Sequence, residues 1–201
     1  MAYYHDLVTK KSWQELKKLS KNLNFVLIGG WAVYLYTKAL KSKDIDIAVN
    51  YDQLGKLERD YDLFKNDRLS KYEAVKEEVQ VDIYLPHYSK IGIPIEILLK
   101  KSVLLEGFRV ININYLFILK LITLEQRGRT PKGRKDFIDS VSLLKSDNLD
   151  FVEIKKIIEK HELKKILKVW KEFLCESYEI KELGVNKHEY AKLKKQAIKI
   201  I

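Results

Sequence analysis

The sequence predicts an α+β fold: a mixed β-sheet with flanking helices, followed by a helical C-terminal region. Three observations predict it. A short all-apolar run, Phe25-Val26-Leu27-Ile28, is ended by Gly29-Gly30, as expected of a strand covered on both faces and closed by a tight turn. Two later segments, Asp44-Ile45-Asp46-Ile47 and Val79-Gln80-Val81-Asp82-Ile83-Tyr84-Leu85, alternate polar and apolar residues, the period of strands with one face on a core. From Phe151 onward every periodic segment has helical spacing. The change of period predicts a core over residues 1–112 and a helical region over residues 113–201 packed on it.

The elements follow in order. Trp13, Leu16 and Leu19 recur at helical spacing among lysines, predicting a helix over 9–22 with Ser12 as its N-cap. The apolar run at 25–28 is the first strand. After the Gly-Gly turn, residues 31–40 are apolar on nearly every side and predict a buried helix. The second strand is expected over about 45–49, carrying Asp44 and Asp46 on one face because side chains two apart on a strand point the same way. Residues 51–66 read as partly helical, with Leu54, Leu57, Tyr61 and Phe64 inward. Strands are expected at 72–75, 79–85, 95–99 and 107–113, and a helix over 115–126 capped by Asn114. A basic loop, Arg127-Gly128-Arg129-Thr130-Pro131-Lys132-Gly133-Arg134-Lys135, leads into further helices.

Composition bounds the classes. The 201 residues are 46% hydrophobic and 33% charged, a globular balance with enough chain for a sizeable core. One cysteine, Cys175, excludes an intramolecular disulfide framework and predicts a reducing cytoplasm; beside Leu174 on a helix, it reads as a buried inert thiol. The first residues show no basic segment followed by an apolar one, predicting no signal peptide, and no apolar run is long enough to span a bilayer. The formal net charge of +10 raises the prior for an anionic partner such as nucleic acid. Much of it lies in lysine-rich helices, where a solvated surface is the commoner explanation. His5, His87, His161 and His188 have no metal-ligand spacing.

Alone, a Gly-Gly turn, an Asp-x-Asp pair or a strand aspartate is commonplace. Their order here restricts geometry strongly: a Gly-Gly turn after a buried strand, one helix of spacing, Asp44-Ile45-Asp46, then Asp82 on a later strand. Asp44, Asp46 and Asp82 can converge on divalent cations. Mg²⁺ takes hard oxygen ligands and uses one or two protein carboxylates with substrate phosphates, and a pair of ions suits phosphoryl-type chemistry. Gly29 and Gly30, opening a helix, let backbone amides approach phosphate oxygens.

These residues resemble the signature of the nucleotidyltransferase superfamily typified by DNA polymerase beta: hydrophobic-Gly-(Gly/Ser), about ten residues, Asp-hydrophobic-Asp, and a third acid on a later strand. The likeness spans roughly residues 24–145. It is similar to the small prokaryotic members: minimal nucleotidyltransferases of toxin–antitoxin pairs, AbiE-type toxins, and aminoglycoside and lincosamide nucleotidyltransferases. Many transferring members carry serine where this chain has Gly30, whose only donor is its backbone N–H. The resemblance implies that Asp44, Asp46 and Asp82 are catalytic and hold two Mg²⁺ ions. It further implies that Gly29 and Gly30 contact the triphosphate of an NTP, ATP the favoured one. Ser42, just before the acids, is expected to offer the nucleotide a hydroxyl. Lys120, a lone lysine in an apolar helix, resembles the lysine offered to the triphosphate; a snorkelling side chain explains it equally. Lys135-Asp136-Phe137-Ile138-Asp139 resembles the Arg/Lys-Asp-x-x-Asp segment of AbiE-type enzymes, though a structural ion pair accounts for it as well.

The expected activity is Mg²⁺-dependent transfer of a nucleoside monophosphate from an NTP to an acceptor hydroxyl on a protein, a tRNA or other RNA, or a small molecule. A cognate toxin or antitoxin is an expected partner, and no membrane is. The alternatives are a non-catalytic nucleotide- or nucleic-acid-binding protein on the same fold, and an interaction protein that uses its basic helical half.

Overall fold

The computed structural model of the chain describes residues 2–200. The chain divides into two compact units, Met1–Asn112 and Ile113–Ile201. The first contains α1 (Ala2–Asn22), β1 (Val26–Ile28), α2 (Gly29–Thr37), β2 (Ile45–Ala48), a 3₁₀ turn at Tyr51–Gln53, α3 (Leu54–Leu57), β3 (Asp62–Asn66), β4 (Lys71–Lys76), β5 (Val79–Tyr84), α4 (Ile95–Lys100), β6 (Ser102–Leu105) and β7 (Phe108–Ile111). Its strands form one seven-stranded sheet in the order β3-β4-β5-β2-β1-β7-β6. Pairing is parallel for β2–β5 and β1–β7 and antiparallel elsewhere. The sheet is therefore mixed, and together with the flanking helices the class is α+β.

The sheet has a sided core. Ile45 pairs with Val81 and Ile47 with Ile83, and all four are buried, so the apolar half of each alternating strand lies on one face. β1, apolar throughout, is buried at every position in the middle of the sheet.

Several elements differ from the sequence reading, each for a physical reason. α1 runs through Ser12, which is therefore no cap: it is buried and accepts a hydrogen bond from the indole Nε1–H of Trp31 at 2.8 Å. The buried face of α1 also carries Glu15, whose Oε1 accepts from the Tyr61 hydroxyl at 2.5 Å. The helix begins at Ala2, seven residues before the expected start, and Val8 and Thr9 are buried on it. Residues 95–99 form the helix α4 instead of a strand; Pro94 stands at its N-cap, and Ile95 and Leu98, three apart, are the buried pair. The helical reading of 51–66 ends at Leu57, and Phe64 sits on the edge strand β3 with 55% of its surface exposed. β6 escaped the sequence reading, although Glu106-Gly107 makes a two-residue hairpin turn into β7 with both φ angles positive, 50° and 83°, as such turns demand.

The second unit is helical: α5 (Ile113–Arg127), α6 (Pro131–Lys145), α7 (Phe151–Lys160), α8 (Lys164–Glu176), a 3₁₀ turn at Lys181–Leu183 and α9 (Lys187–Ala197). α5 is apolar on nearly all sides and packs against α6, α7 and α8. Trp170 of α8 stacks edge-on to Phe117 at 5.1 Å and donates its Nε1–H to Ser140 Oγ at 3.0 Å. Asn114 lies inside the first turn of α5 and does not cap it. Its side chain instead bonds Glu153 and accepts from the Asp150 amide, fastening α5 to the start of α7. Much of the expected basic loop is the first turn of α6, capped by Thr130 Oγ1 accepting from the Gly133 amide, with Pro131 at the first helical position. Cys175 is exposed, on the side of α8 away from buried Phe173 and Leu174. No helix of the described residues is long and apolar enough to cross a membrane.

Candidate active site

The site grows from the polar half of the alternating strands. Asp46 on β2 is the direct partner of Asp82 on β5, and residues directly opposed on neighbouring strands project on the same face. On the outer side, Glu73 of β4 is the partner of Asp82. On the inner side, Ile28 of β1 is the partner of Asp46. Three carboxylates, Glu73, Asp82 and Asp46, thus stand in a row across three strands, on the face opposite the apolar pairs.

Gly29 follows Ile28 and closes the row. Its φ is +70°, and a Cβ there would lie 2.0 Å from Asp46 Oδ2 and 2.7 Å from Asp46 Cβ. Only glycine combines that backbone angle with such an approach. The α2 helix starts at this point with Gly30 buried; Ile28, its N-cap, supplies no side-chain cap, so the first amides have no side-chain acceptor from that position. The Tyr84 hydroxyl, two residues beyond Asp82 on the same face of β5, is 3.5 Å from Asp46 Oδ1.

Asp82 is already engaged. Lys71 Nζ lies 2.6 Å from its Oδ2 and 3.0 Å from Glu73 Oε1, and the Gln80 amide donates to Oδ1 at 2.8 Å. Burial opposes the charge on Lys71, but Asp82 and Glu73 outweigh it and raise the ammonium's pKa above its ordinary value. The same Lys71 contact, ahead of the opposing burial, lowers the Glu73 carboxyl below its ordinary range.

The other expected residues stand as follows. Asp44 precedes β2 by one residue, in a bend, and is exposed; it is not a strand residue facing the sheet beside Asp46. Ser42 is buried in the segment leading to it. Lys120 belongs to the second unit, on α5, where it is buried and paired with Asp136 Oδ1 at 3.2 Å and Asp139 Oδ2 at 2.7 Å. Arg127 completes that group at 2.7 Å from Asp136 Oδ2. The snorkelling reading of Lys120 is thereby corrected, because its ammonium ends on carboxylates instead of water. Arg129 and Arg134 of the basic segment pair with Glu176 and Glu182.

Lys71, Glu73, Gln80 and Tyr84 were missed in the sequence. The signal for Gln80 and Tyr84 was the alternation that found Asp82. Lys71 and Glu73 lie two apart on a strand expected only from residue 72, so their shared face was cut in half.

No family model matches the sequence, and no curated protein does. Solved structures do. JHP933 from Helicobacter pylori aligns with a TM-score of 0.55 and 16% identity over 96% of this chain and 91% of its own. An inferred nucleotidyltransferase from H. pylori aligns with a TM-score of 0.53 and 16% identity over 96% and 93%. The fold is nucleotidyltransferase-like. An antigenic nucleotidyltransferase-like protein from Paracoccidioides brasiliensis aligns less well, with a TM-score of 0.42 and 16% identity over 69% of this chain and 76% of its own. At these identities the likeness is one of fold.

Within the nucleotidyltransferase-like fold the donor set can be tested for a divalent cation. Asp46 and Asp82 place hard oxygen donors on adjacent strands, spaced by about 4.8 Å of sheet, and exposed Asp44 lies two residues from Asp46. That set fits an ion such as Mg²⁺, which uses few protein carboxylates and takes its remaining ligands from water and phosphate. It is not a closed cage: among the described residues no three His, Cys, Asp or Glu side chains are drawn together as a metal-holding group.

Proposed function

We propose that this chain is an Mg²⁺-dependent nucleotidyltransferase that moves a nucleoside monophosphate from an NTP, ATP first, to an acceptor hydroxyl. The acceptor oxygen bonds to the α-phosphorus, the bond from that phosphorus to the bridging oxygen breaks, and pyrophosphate leaves. The observation that carries this reading is the lateral pairing of Asp46 with Asp82 beside Gly29.

Asp44, Asp46 and Asp82 would hold Mg²⁺, which would polarise the α-phosphate and offset the charge of the triphosphate. Gly29 and Gly30 offer backbone amides at the start of α2, where the helix dipole favours anions. The Tyr84 hydroxyl lies 3.5 Å from Asp46 Oδ1, and Gly29 leaves the space that the Asp46 carboxylate occupies. Asp82, on the same face, would receive the acceptor's proton at Oδ1 in exchange for the Gln80 amide, while Lys71 holds Oδ2. The net charge of +10 favours RNA among the acceptors over a protein, such as the partner in a toxin–antitoxin pair, or a small molecule.

The test is transfer of label from each α-³²P NTP, with Mg²⁺, to bulk tRNA, cell protein and small molecules, with Asp46→Asn beside the wild type. Label reaching one acceptor class, and lost in the variant, supports the reading. Intact Mg²⁺-dependent NTP binding without transfer to any acceptor supports the second reading, nucleotide binding without catalysis. The Lys71 ammonium at 2.6 Å from Asp82 is what favours that second reading.

A further inference from the structure

The exposed surface of α8 has two flanks of different character. Its apolar side, Ile166, Trp170, Phe173 and Leu174, is buried within the second unit. One exposed flank is neutralised: Lys165 pairs with Glu125, Glu176 pairs with Arg129, and Glu172 adds to the field on that same arginine. The other carries Lys164, Lys168 and Lys171, all exposed, and none of the three forms an ion pair among the described residues. Four and three residues apart, they lie within about 60° of the helix circumference and span about 10 Å of its length. Like charges at those spacings repel and weaken a helix, so the stripe does not serve the stability of α8. Cys175, four residues beyond Lys171 and exposed, ends the same stripe.

We infer that this flank of α8 holds the sugar–phosphate backbone of an RNA acceptor. The inference rests on the transfer reading above and names where its acceptor is held. Three point charges in line suit phosphates, which repeat along a strand and accept from an ammonium whatever base they carry. An acidic protein surface fits less well, because the cores of protein interfaces are depleted in lysine and enriched in aromatic groups, and the stripe has no aromatic residue. A bilayer does not fit, since an interfacial helix needs an apolar face to insert and that of α8 is already buried inside the second unit. Among nucleic acids, an RNA end offers two hydroxyls where a DNA end offers one, and a hydroxyl is the group the transfer requires. A polymer held at one place can react at another, so the lysines act by retaining the strand and not by touching the reacting atoms.

The experiment measures binding of a fluorescein-labelled single-stranded oligoribonucleotide to the full chain over a series of salt concentrations. The wild type is compared with the triple variant Lys164→Gln, Lys168→Gln, Lys171→Gln. A charge-matched control replaces three exposed lysines of α9 instead: Lys187→Gln, Lys192→Gln, Lys195→Gln. Three lost phosphate contacts should make the slope of log K against log[salt] shallower by about 2, and only in the α8 variant. A benzophenone attached to Cys175, the one cysteine of the chain, should crosslink the RNA in the wild type and lose that crosslink in the α8 variant. Equal effects of the two triple variants overturn the inference, as does tighter binding of polyglutamate or of DNA of the same sequence. Label transfer in the same proteins separates the surface from the reaction. Transfer to RNA with KM unmoved in the α8 variant removes the docking surface and keeps the enzyme. An RNA complex that depends on α8, with no transfer from any NTP, leaves RNA held at α8 and removes the transfer.

Discussion

Asp46 fills the space that a side chain on Gly29 would need: a Cβ there would meet Oδ2 at 2.0 Å and the Asp46 Cβ at 2.7 Å. The clash reaches the root of the aspartate, so rotating its carboxylate away does not relieve it. Gly29→Ala also forces alanine to φ +70°, a conformation costing about 1–3 kcal/mol. Thermal denaturation should show that loss. Transfer activity should fall with it even though the amide at position 29 remains, because Asp46 is pushed from its place in the row. An active, fully stable Gly29→Ala protein would separate the turn from the site.

Lys120 distinguishes a structural ion group from a triphosphate contact. Its ammonium meets both Asp136 and Asp139 in the interior of the second unit, so Lys120→Met leaves buried carboxylates short of a cation. The expected cost is about 3–5 kcal/mol, read by chemical denaturation, and Asp139→Asn added to Lys120→Met should recover part of it. Unchanged stability with weakened NTP binding would instead give Lys120 to the nucleotide.

Glu15 makes part of the stability of the first unit dependent on pH. Burial pushes its carboxyl up, but the Tyr61 hydroxyl and Lys18 outweigh it and hold the pKa below the ordinary 4.5. A carboxyl depressed in the folded state contributes stability that is complete above the unfolded value and is lost as pH falls through the folded one. Tyr61→Phe should cost about 1.5–3 kcal/mol near neutral pH, the range for a hydrogen bond to a charged group. The gap between variant and wild type should close as the pH drops below 4.5. Urea unfolding at a series of pH values measures it.

The basic turn before α6 is fixed by small contacts. A Cβ on Gly133 would lie 1.9 Å from the Gly128 carbonyl oxygen, a backbone atom that cannot step aside without moving the turn. Gly133→Ala should therefore lower the melting temperature more than Thr130→Ala, whose lost cap is worth about 1 kcal/mol.

The sequence made the centre of the fold legible and its margins less so. β1, β2 and β5 announced themselves because apolar residues must fill every position of a strand covered on both faces, or every second position of one covered on a single face. Asp46, Asp82 and Gly29 came with them, since their neighbours fixed which way they point. The margins follow weaker rules. Phe64 on β3 and Leu104 on β6 are exposed residues of edge strands, so their apolar character misleads about burial. Ile95-Glu96-Ile97-Leu98-Leu99 is a run whose type is undecided by period alone, and Pro94 settled it as a helix. Lys71 was beyond reach because it stands one residue before the strand expected at 72–75, which cut it from Glu73 on the same face, and because its contact with Asp82 depends on the β4–β5 register, which no single strand carries.

The sheet order has a consequence for how the molecule comes into being. Between Asp46 and Asp82 the chain first travels outward to β3 and then returns through β4 and β5, so the row is closed by docking a three-stranded meander against β2. The meander pairs strands adjacent in sequence and can form locally, carrying Lys71, Glu73 and Asp82 already together. The β2–β5 pairing closes a long loop and bears the larger entropic cost. A chain stalled before that step therefore holds the lysine and its two acids but has no partner for Asp46, and chemistry at the row becomes a property of the completed fold alone.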